Sequence, residues 1–270
     1  MASAKNGVPM AVLPEVHVLS DDVSVWASDA AALILSLQQR AVEDNGRFLV
    51  ALSGGRTPER LYQRLASDSS TTRHEWRHTR FFFGDERCVP PDHPDSNYRL
   101  AEQALFKPLH IAADQIHRMK GELPDPEAAA RDYEDLLRAS TNADSSGWPQ
   151  LDLVLLGLGN DGHTASLFPG TDALRETRRC VTVGHAPVNP RLRLTLTLGV
   201  INHATVVLFL ANGESKAGII KRILEPSQDA DRQLPAALVR PERGRVIWLL
   251  DRPAAAQLTG QYREDRPRLT

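Results

Sequence analysis

The chain has 270 residues, 41% hydrophobic and 24% charged, with a formal net charge of −2. That near-neutral balance leaves no electrostatic footprint for a nucleic acid, and no window approaches the roughly 20 apolar residues of a membrane span. Only Cys88 and Cys180 are present, in no metal-ligand spacing, which excludes a disulfide framework and suits a reducing compartment. The length suits one α/β domain over residues 15–260, with a flexible start at 1–14, no signal-type apolar segment, and a charged tail at 261–270. The expectation is a soluble cytoplasmic protein, monomeric or weakly self-associating, with no nucleic-acid or membrane partner.

Residues 16–19 read as a short strand, and Ser20 or Asp21 caps the Ala-rich amphipathic run to about Val42, which Asn45-Gly46 stops. Residues 47–52 form the next strand, emptying into Ser53-Gly54-Gly55-Arg56. Thr57 then serves as a capping residue and Pro58 as a first-turn proline for a helix to about Ala66. After a polar stretch at 67–78 comes the strand 79–83, which ends in Gly84-Asp85-Glu86-Arg87 and a Pro-rich loop. Helices follow at 96–106 and 126–139, joined by a turn-rich connector at 141–149 to an apolar strand at 151–156. This run has no helical spacing and fits a strand buried on both faces. Beyond it lie a short strand near Val181, strands at 191–198 and 205–210, a helix at 213–224 and a strand at 245–250.

Strands alternating with helices imply a three-layer, Rossmann-like α/β fold: a mostly parallel sheet with helices on both faces. In such sheets ligands bind beyond the carboxyl ends of the strands. Three glycine-bearing strand exits then converge on one crevice: 53–57, 84–87 and 157–163.

The first exit has the makings of an anion cradle. Two glycines before a helix start leave N–H groups unpaired, and the helix dipole adds partial positive charge. Ser53 and Thr57 add hydroxyl donors and Arg56 a charge. No Gly-Lys-Ser/Thr follows, so this is no Walker loop. The second exit, Asp85-Glu86-Arg87, is the kind of charged cluster that is usually a solvated loop, and only its place at a strand exit makes it a site candidate.

The third exit matches G-x-G-x-x-G from Gly157 to Gly162. A dinucleotide site needs a long helix after the last glycine and an acidic residue about 20 positions on. Pro169-Gly170 breaks the helix and the next strand runs into Gly184-His185, so nicotinamide binding is rejected. His163 is the best catalytic candidate among the nine histidines. Residues 164–168 are expected to start a short helix whose dipole keeps the imidazole neutral and able to accept a proton, with Asp161 fixing its tautomer. The alternative is a histidine that only caps or packs within a glycine turn.

The segments LSGGRTP (52–58), DERCVPPDHPDSNY (85–98), LGLGNDGHTASLFPG (156–170) and RLTLT (193–197) closely resemble the 6-phosphogluconolactonase family, in the family's order. The resemblance implies a Rossmann-like fold shared with glucosamine-6-phosphate deaminase. It also implies hydrolysis of the sugar-phosphate lactone, a step of the oxidative pentose phosphate pathway, with no required cofactor and no metal. Carried over, His163 is the general base with Asp161 beside it and Arg87 lining the site; Ser53, Gly54 and Gly55 match the phosphate loop. Asp85, Arg193 and Lys216 are further substrate-side contributors. Arg56 departs from the family's usual small polar residue. The deaminase resembles this chain at Asp-Gly-His but carries a glutamate five residues after the histidine, where Phe168 stands here. A sugar-phosphate sensor that binds without turnover is the rival of another class, and the combination of His163 and Arg87 would be superfluous in one.

Overall fold

The computed structural model describes residues 14–67, 76–141 and 147–262. The expectations for 1–13, for 68–75 and 142–146, and for the tail from 263 lie outside the described residues. Where the sequence sets that tail to begin, Gly260–Tyr262 forms a 3-10 turn.

The first half alternates as expected, with ends shifted by a few residues. β1 (Glu15–Leu19) leads to α1 (Val23–Asn45), β2 (Phe48–Leu52), α2 (Arg56–Ser67) and β3 (Thr79–Phe83). Asp22, and not Ser20 or Asp21, caps α1: its Oδ1 accepts the N–H groups of Ser24 at 2.8 Å and Val25 at 3.2 Å, the two donors a cap must reach. Gly46, at φ 73°, ends the helix in the left-handed conformation that glycine adopts without strain. The buried face of α1 repeats at helical spacing, with Trp26, Ala27, Ala30, Ala31 and Ile34, and α1 packs on α2.

Next come β4 (Asp85–Arg87), α3 (Asn97–Ala101) with a π-helical continuation Glu102–Phe106, α4 (Pro126–Thr141) and β5 (Leu153–Leu156). The remaining elements are α5 (Asp172–Arg175), β6 (Val181–His185), β7 (Leu192–Leu196), α6 (Leu198–Ile201) and β8 (Val206–Ala211). A 3-10 turn, Glu214–Lys216, runs into α7 (Ala217–Leu224), followed by β9 (Arg245–Asp251) and α8 (Arg252–Ala255).

Six strands form one parallel sheet in the order β1-β9-β8-β5-β2-β3. Every residue of β2, β5 and β8 is buried, so both faces of the sheet centre are covered. Phe209 of β8 and Trp248 of β9 stack at 4.0 Å between ring centres, each burying a large ring worth about 2–3 kcal/mol of transfer free energy. From β2 the chain moves outward to β3, then returns to the other side of β2 as β5 and continues away from it. The order therefore reverses between β2 and β5, and the crevice of an open α/β sheet belongs at their carboxyl ends.

The sequence reading misses a second sheet. β4, β7 and β6 pair antiparallel in that order, so residues 85–87 are a strand and not the loop expected, and β6 and β7 stand apart from the parallel sheet. Gly84 is the transfer point: its N–H donates to Leu52 O in the parallel sheet while its carbonyl accepts from Leu196 N of the second. Among the described residues no helix is long and apolar enough to cross a membrane.

Candidate active site

At the end of β2, Ser53 is held from behind. Its N–H donates to the Tyr62 hydroxyl at 3.0 Å, and that hydroxyl donates to Ser53 O at 2.7 Å. Gly55 then takes φ 107°, and Glu59 N–H already bonds Gly55 O, so α2 starts at Arg56. Thr57 is thus inside the first turn and does not cap it, a correction to the sequence reading; Gly55 occupies that place because it alone tolerates the needed dihedral. Among the described residues the N–H groups of Gly54, Gly55, Arg56 and Thr57 donate to no acceptor. Four unpaired donors lining the crevice at the positive end of a helix are the arrangement that suits an anion. Ser53 N–H is not one of them, although its hydroxyl, only 3.4 Å from Gly54 O, remains available.

At the end of β5 the geometry serves one side chain. Gly159 N–H donates to His163 O at 2.8 Å and Gly162 N–H to Gly159 O at 3.1 Å, closing a tight loop with Gly162 at φ 83°. Asp161 Oδ1 accepts the His163 backbone N–H at 3.1 Å and lies 2.5 Å from ring Nδ1. A Cβ on Gly159 would sit 2.0 Å from that Nδ1, so glycine there makes room for the imidazole. Burial would raise the Asp161 carboxyl, but the bonds from His163 outweigh it and hold it below the ordinary carboxylate value. An ionised Asp161 fixes the proton on Nδ1 and leaves Nε2 as the free acceptor.

The helix expected at 164–168 does not form. Thr164 and Leu167 bridge instead, Leu167 N–H bonds Thr164 O at 3.0 Å, and Ala165 is left-handed at φ 48°. No dipole therefore acts on His163; Asp161 and the Phe168 ring, 4.3 Å away, fix the imidazole instead. Pro169, two residues beyond the bridge, forbids the propagation that would stabilise a helical turn.

The second exit has two kinds of carboxylate. Glu86, 2% exposed, accepts from Arg87 N, Asn97 N and Tyr98 N at 2.7–2.8 Å and from the Ser96 hydroxyl, which fastens the start of α3 to β4. Burial pushes its carboxyl up despite these donors. Asp85 faces the crevice, where its carboxylate accepts from Ser166 Oγ at 2.7 Å and Asn97 Nδ2 at 3.2 Å. Asn97 carries its Oδ1 against Gly54, where a Cβ would come within 1.8 Å.

Arg87 donates through Nη1 to Asp95 O, and its Nε is buried without a partner. Across the ladder it is in register with Arg193, 6% exposed, whose Nε is likewise unpartnered. Burial, then the like charge of Arg87, lowers the Arg193 pKa. Lys216 Nζ donates to Leu158 O and Asn160 Oδ1, both at 2.7 Å, pinning the third exit from the side of β8; burial lowers its pKa too.

Together these residues enclose a crevice of about 440 Å³. Every site residue expected from the sequence lines it except two: Asp161, bonded to His163, and Arg193, in register with Arg87. A larger cavity of about 780 Å³, bordered by Trp148, His203 and Arg240, opens where Gln150, Ala204 and Gly244 lead into β5, β8 and β9, at the opposite end of the sheet from the expected site. Tyr62 and Ser166 escaped the sequence reading because a Tyr on a helix's buried face and a Ser in a turn look like core and loop. Asn97 had a signal, since it sits in the Ser-Asn-Tyr of a motif already singled out.

The family described as glucosamine-6-phosphate isomerases/6-phosphogluconolactonase matches residues 21–248. The chain belongs to this family. Among its members, a 6-phosphogluconolactonase of Nostoc is 40% identical over 90% of this chain and 98% of its own. The human 6-phosphogluconolactonase is 41% identical, over 88% and 93%. The solved 6-phosphogluconolactonase of Trypanosoma cruzi superposes with a TM-score of 0.83 at 32% identity, covering 94% of this chain and all of that one. A monomeric glucosamine-6-phosphate deaminase, at 22% identity and a TM-score of 0.73, shares the fold.

Proposed function

We propose that the chain hydrolyses 6-phosphogluconolactone to 6-phosphogluconate, with His163 as general base. The observation that carries this reading is the Asp161–His163 pair, 2.5 Å apart, facing four free N–H groups across the crevice at the switch between β2 and β5. A base at one end and an anion cradle at the other suit a substrate with a reacting carbonyl and a distant phosphate.

The phosphate sits on the N–H groups of residues 54–57, with the Ser53 hydroxyl beside it and Arg56 and Lys216 supplying charge. Nε2 of His163 takes a proton from water as the oxygen attacks the lactone carbonyl, and Arg87 stabilises the oxyanion, with the charge of Arg193 behind it. As the ester bond breaks, His163 returns the proton to the departing ring oxygen. Asp85, an anion already accepting from Ser166 and Asn97, suits a sugar hydroxyl better than a phosphate. An activated ester needs less barrier lowering than a peptide, so one base and good positioning suffice. Phe168, packed on His163, occupies the place where the deaminase motif has its proton-moving glutamate, which favours the lactonase reading within the family.

The test is turnover of freshly made 6-phosphogluconolactone, corrected for spontaneous opening, beside glucosamine 6-phosphate. The expected result is catalysed acid release from the first and no ammonia from the second. Ammonia release, or binding of the lactone without turnover, overturns the reading.

A further inference from the structure

We infer that Tyr62 is a positioning residue for the phosphate cradle: its phenol clamps both backbone groups of Ser53, so that the four N–H groups after it face the crevice. The inference rests on the proposed function for its substrate, but on the geometry of this chain for its substance.

Tyr62 is fully buried in α2 and does not line the crevice; its hydrogen bonds reach the site through Ser53. A phenol has one proton and two acceptor lone pairs. Here both functions are used on one residue: Oη accepts the Ser53 N–H at 3.0 Å and donates to Ser53 O at 2.7 Å. Burial pushes the phenol's pKa up, which keeps the donated proton in place. The clamp comes from the same helix whose first turn supplies the cradle, so loop and helix start form one unit. This matters because the next two residues are glycines, the least constrained backbone in the chain. With Ser53 fixed at one end and the Glu59 N–H to Gly55 O bond at the other, the Gly54–Gly55 stretch has little freedom left. The donors are ordered before the anion arrives, and binding does not have to order them.

The neighbouring strand exit supplies a matched control. Tyr133, 3% exposed in α4, accepts the Phe83 N–H at 2.8 Å and lies 3.2 Å from His117 O. It is a similar clamp on β3, where the next N–H, that of Gly84, already bonds Leu52 O and the chain runs into strand β4 rather than a helix start.

The experiment compares Tyr62→Phe with Tyr133→Phe in kcat and KM for the lactone, and in the rise of melting temperature caused by inorganic phosphate. Both substitutions leave buried backbone groups unpaired and should lower the melting temperature alike. Only Tyr62→Phe should raise KM by about tenfold and shrink the phosphate shift, with kcat changed much less. Native KM and a native phosphate shift in Tyr62→Phe, or equal losses in Tyr133→Phe, overturn the inference. If Tyr62→Phe fails to fold, amide hydrogen exchange of the unmodified protein decides. The Ser53 amide should exchange slowly with or without phosphate, and the amides of Gly54, Gly55, Arg56 and Thr57 should gain protection only with it. A fast Ser53 amide, or phosphate that protects nothing, overturns the clamp. Absence of lactone turnover with the phosphate results as expected overturns the proposed function and leaves the clamp standing.

Discussion

After β2 the chain passes from Ser53-Gly54-Gly55 straight into the 12-residue helix α2; after β5 it passes through Gly157, Gly159 and Gly162 into a bridged turn with no helix. Both loops leave adjacent strands at the point where the sheet order reverses, and both are built from glycines and small polar residues. In the first, the proposed function falls to the backbone, and side chains hold it: Tyr62 on Ser53, Asn97 against Gly54. In the second, the proposed function falls to a side chain, and the backbone makes room for it: Gly159 against the His163 ring, with Asp161 on Nδ1. Similar local sequences therefore present unpaired backbone N–H groups when a helix follows and a carboxylate-held histidine when it does not.

The sharpest way to break this contrast is to disturb His163 without touching it. Asp161→Asn places an amide where Nδ1 needs an acceptor; an amide that donates there selects the wrong tautomer. kcat should fall on the order of 100-fold, with KM little moved. The native enzyme's pH profile belongs to the same prediction. Because Asp161 is held below the ordinary carboxylate value, the stability and charge it contributes persist above that value and are lost only as pH falls through its lower folded pKa. Above about pH 4 Asp161 should therefore add no ionisation of its own to kcat/KM. Titration of the Asp161 carboxyl in that range contradicts the arrangement.

Smaller effects come from one added methyl group in each loop. Gly159→Ala puts a Cβ 2.0 Å from His163 Nδ1 and 2.5 Å from Asp161 Oδ1, and should cost about 30-fold, almost all in kcat. Gly54→Ala puts a Cβ 1.8 Å from Asn97 Oδ1, and should cost about tenfold, mostly in KM, with a reduced phosphate-induced thermal shift. If the two variants lose the same quantity, the division of labour between the loops is wrong. Last, Lys216→Met removes the two bonds that pin Leu158 and Asn160 and a charge beside the phosphate, and should raise KM and lower kcat about threefold each, the scale of an interaction of about 0.7 kcal/mol.

Most of this contrast was legible in the sequence because strand exits are marked by short-range chemistry. An apolar run followed by glycines identifies β2 and β5, and Pro169-Gly170 after the third exit argues against a dinucleotide-binding loop. What failed was what depends on distant partners. A helix at 164–168 looked allowed by its residues, but Thr164 bridges to Leu167 and its hydroxyl bonds Gly157 O at 2.9 Å, so a turn wins over a helix too short to sustain itself. Residues 85–87 read as a strand exit whose charges alone would mark a solvated loop; they form a strand because β7 pairs with them and Ser96, Asn97, Tyr98 and Ser166 supply the donors their buried carboxylates require. The cap at Asp22 in place of Ser20 or Asp21 is the ordinary one- or two-residue uncertainty of helix ends. Tyr62 could not be picked out at all, since its role appears only when α2 folds back over the strand it follows.

The most direct measurement is steady-state kinetics of His163→Asn on freshly prepared lactone, corrected for spontaneous opening, in a protein whose melting temperature still rises with inorganic phosphate. The account predicts a fall in kcat of about 100-fold or more with KM within a few-fold of native, because the base is lost and the cradle kept. Near-native kcat in that folded, phosphate-binding variant would contradict it.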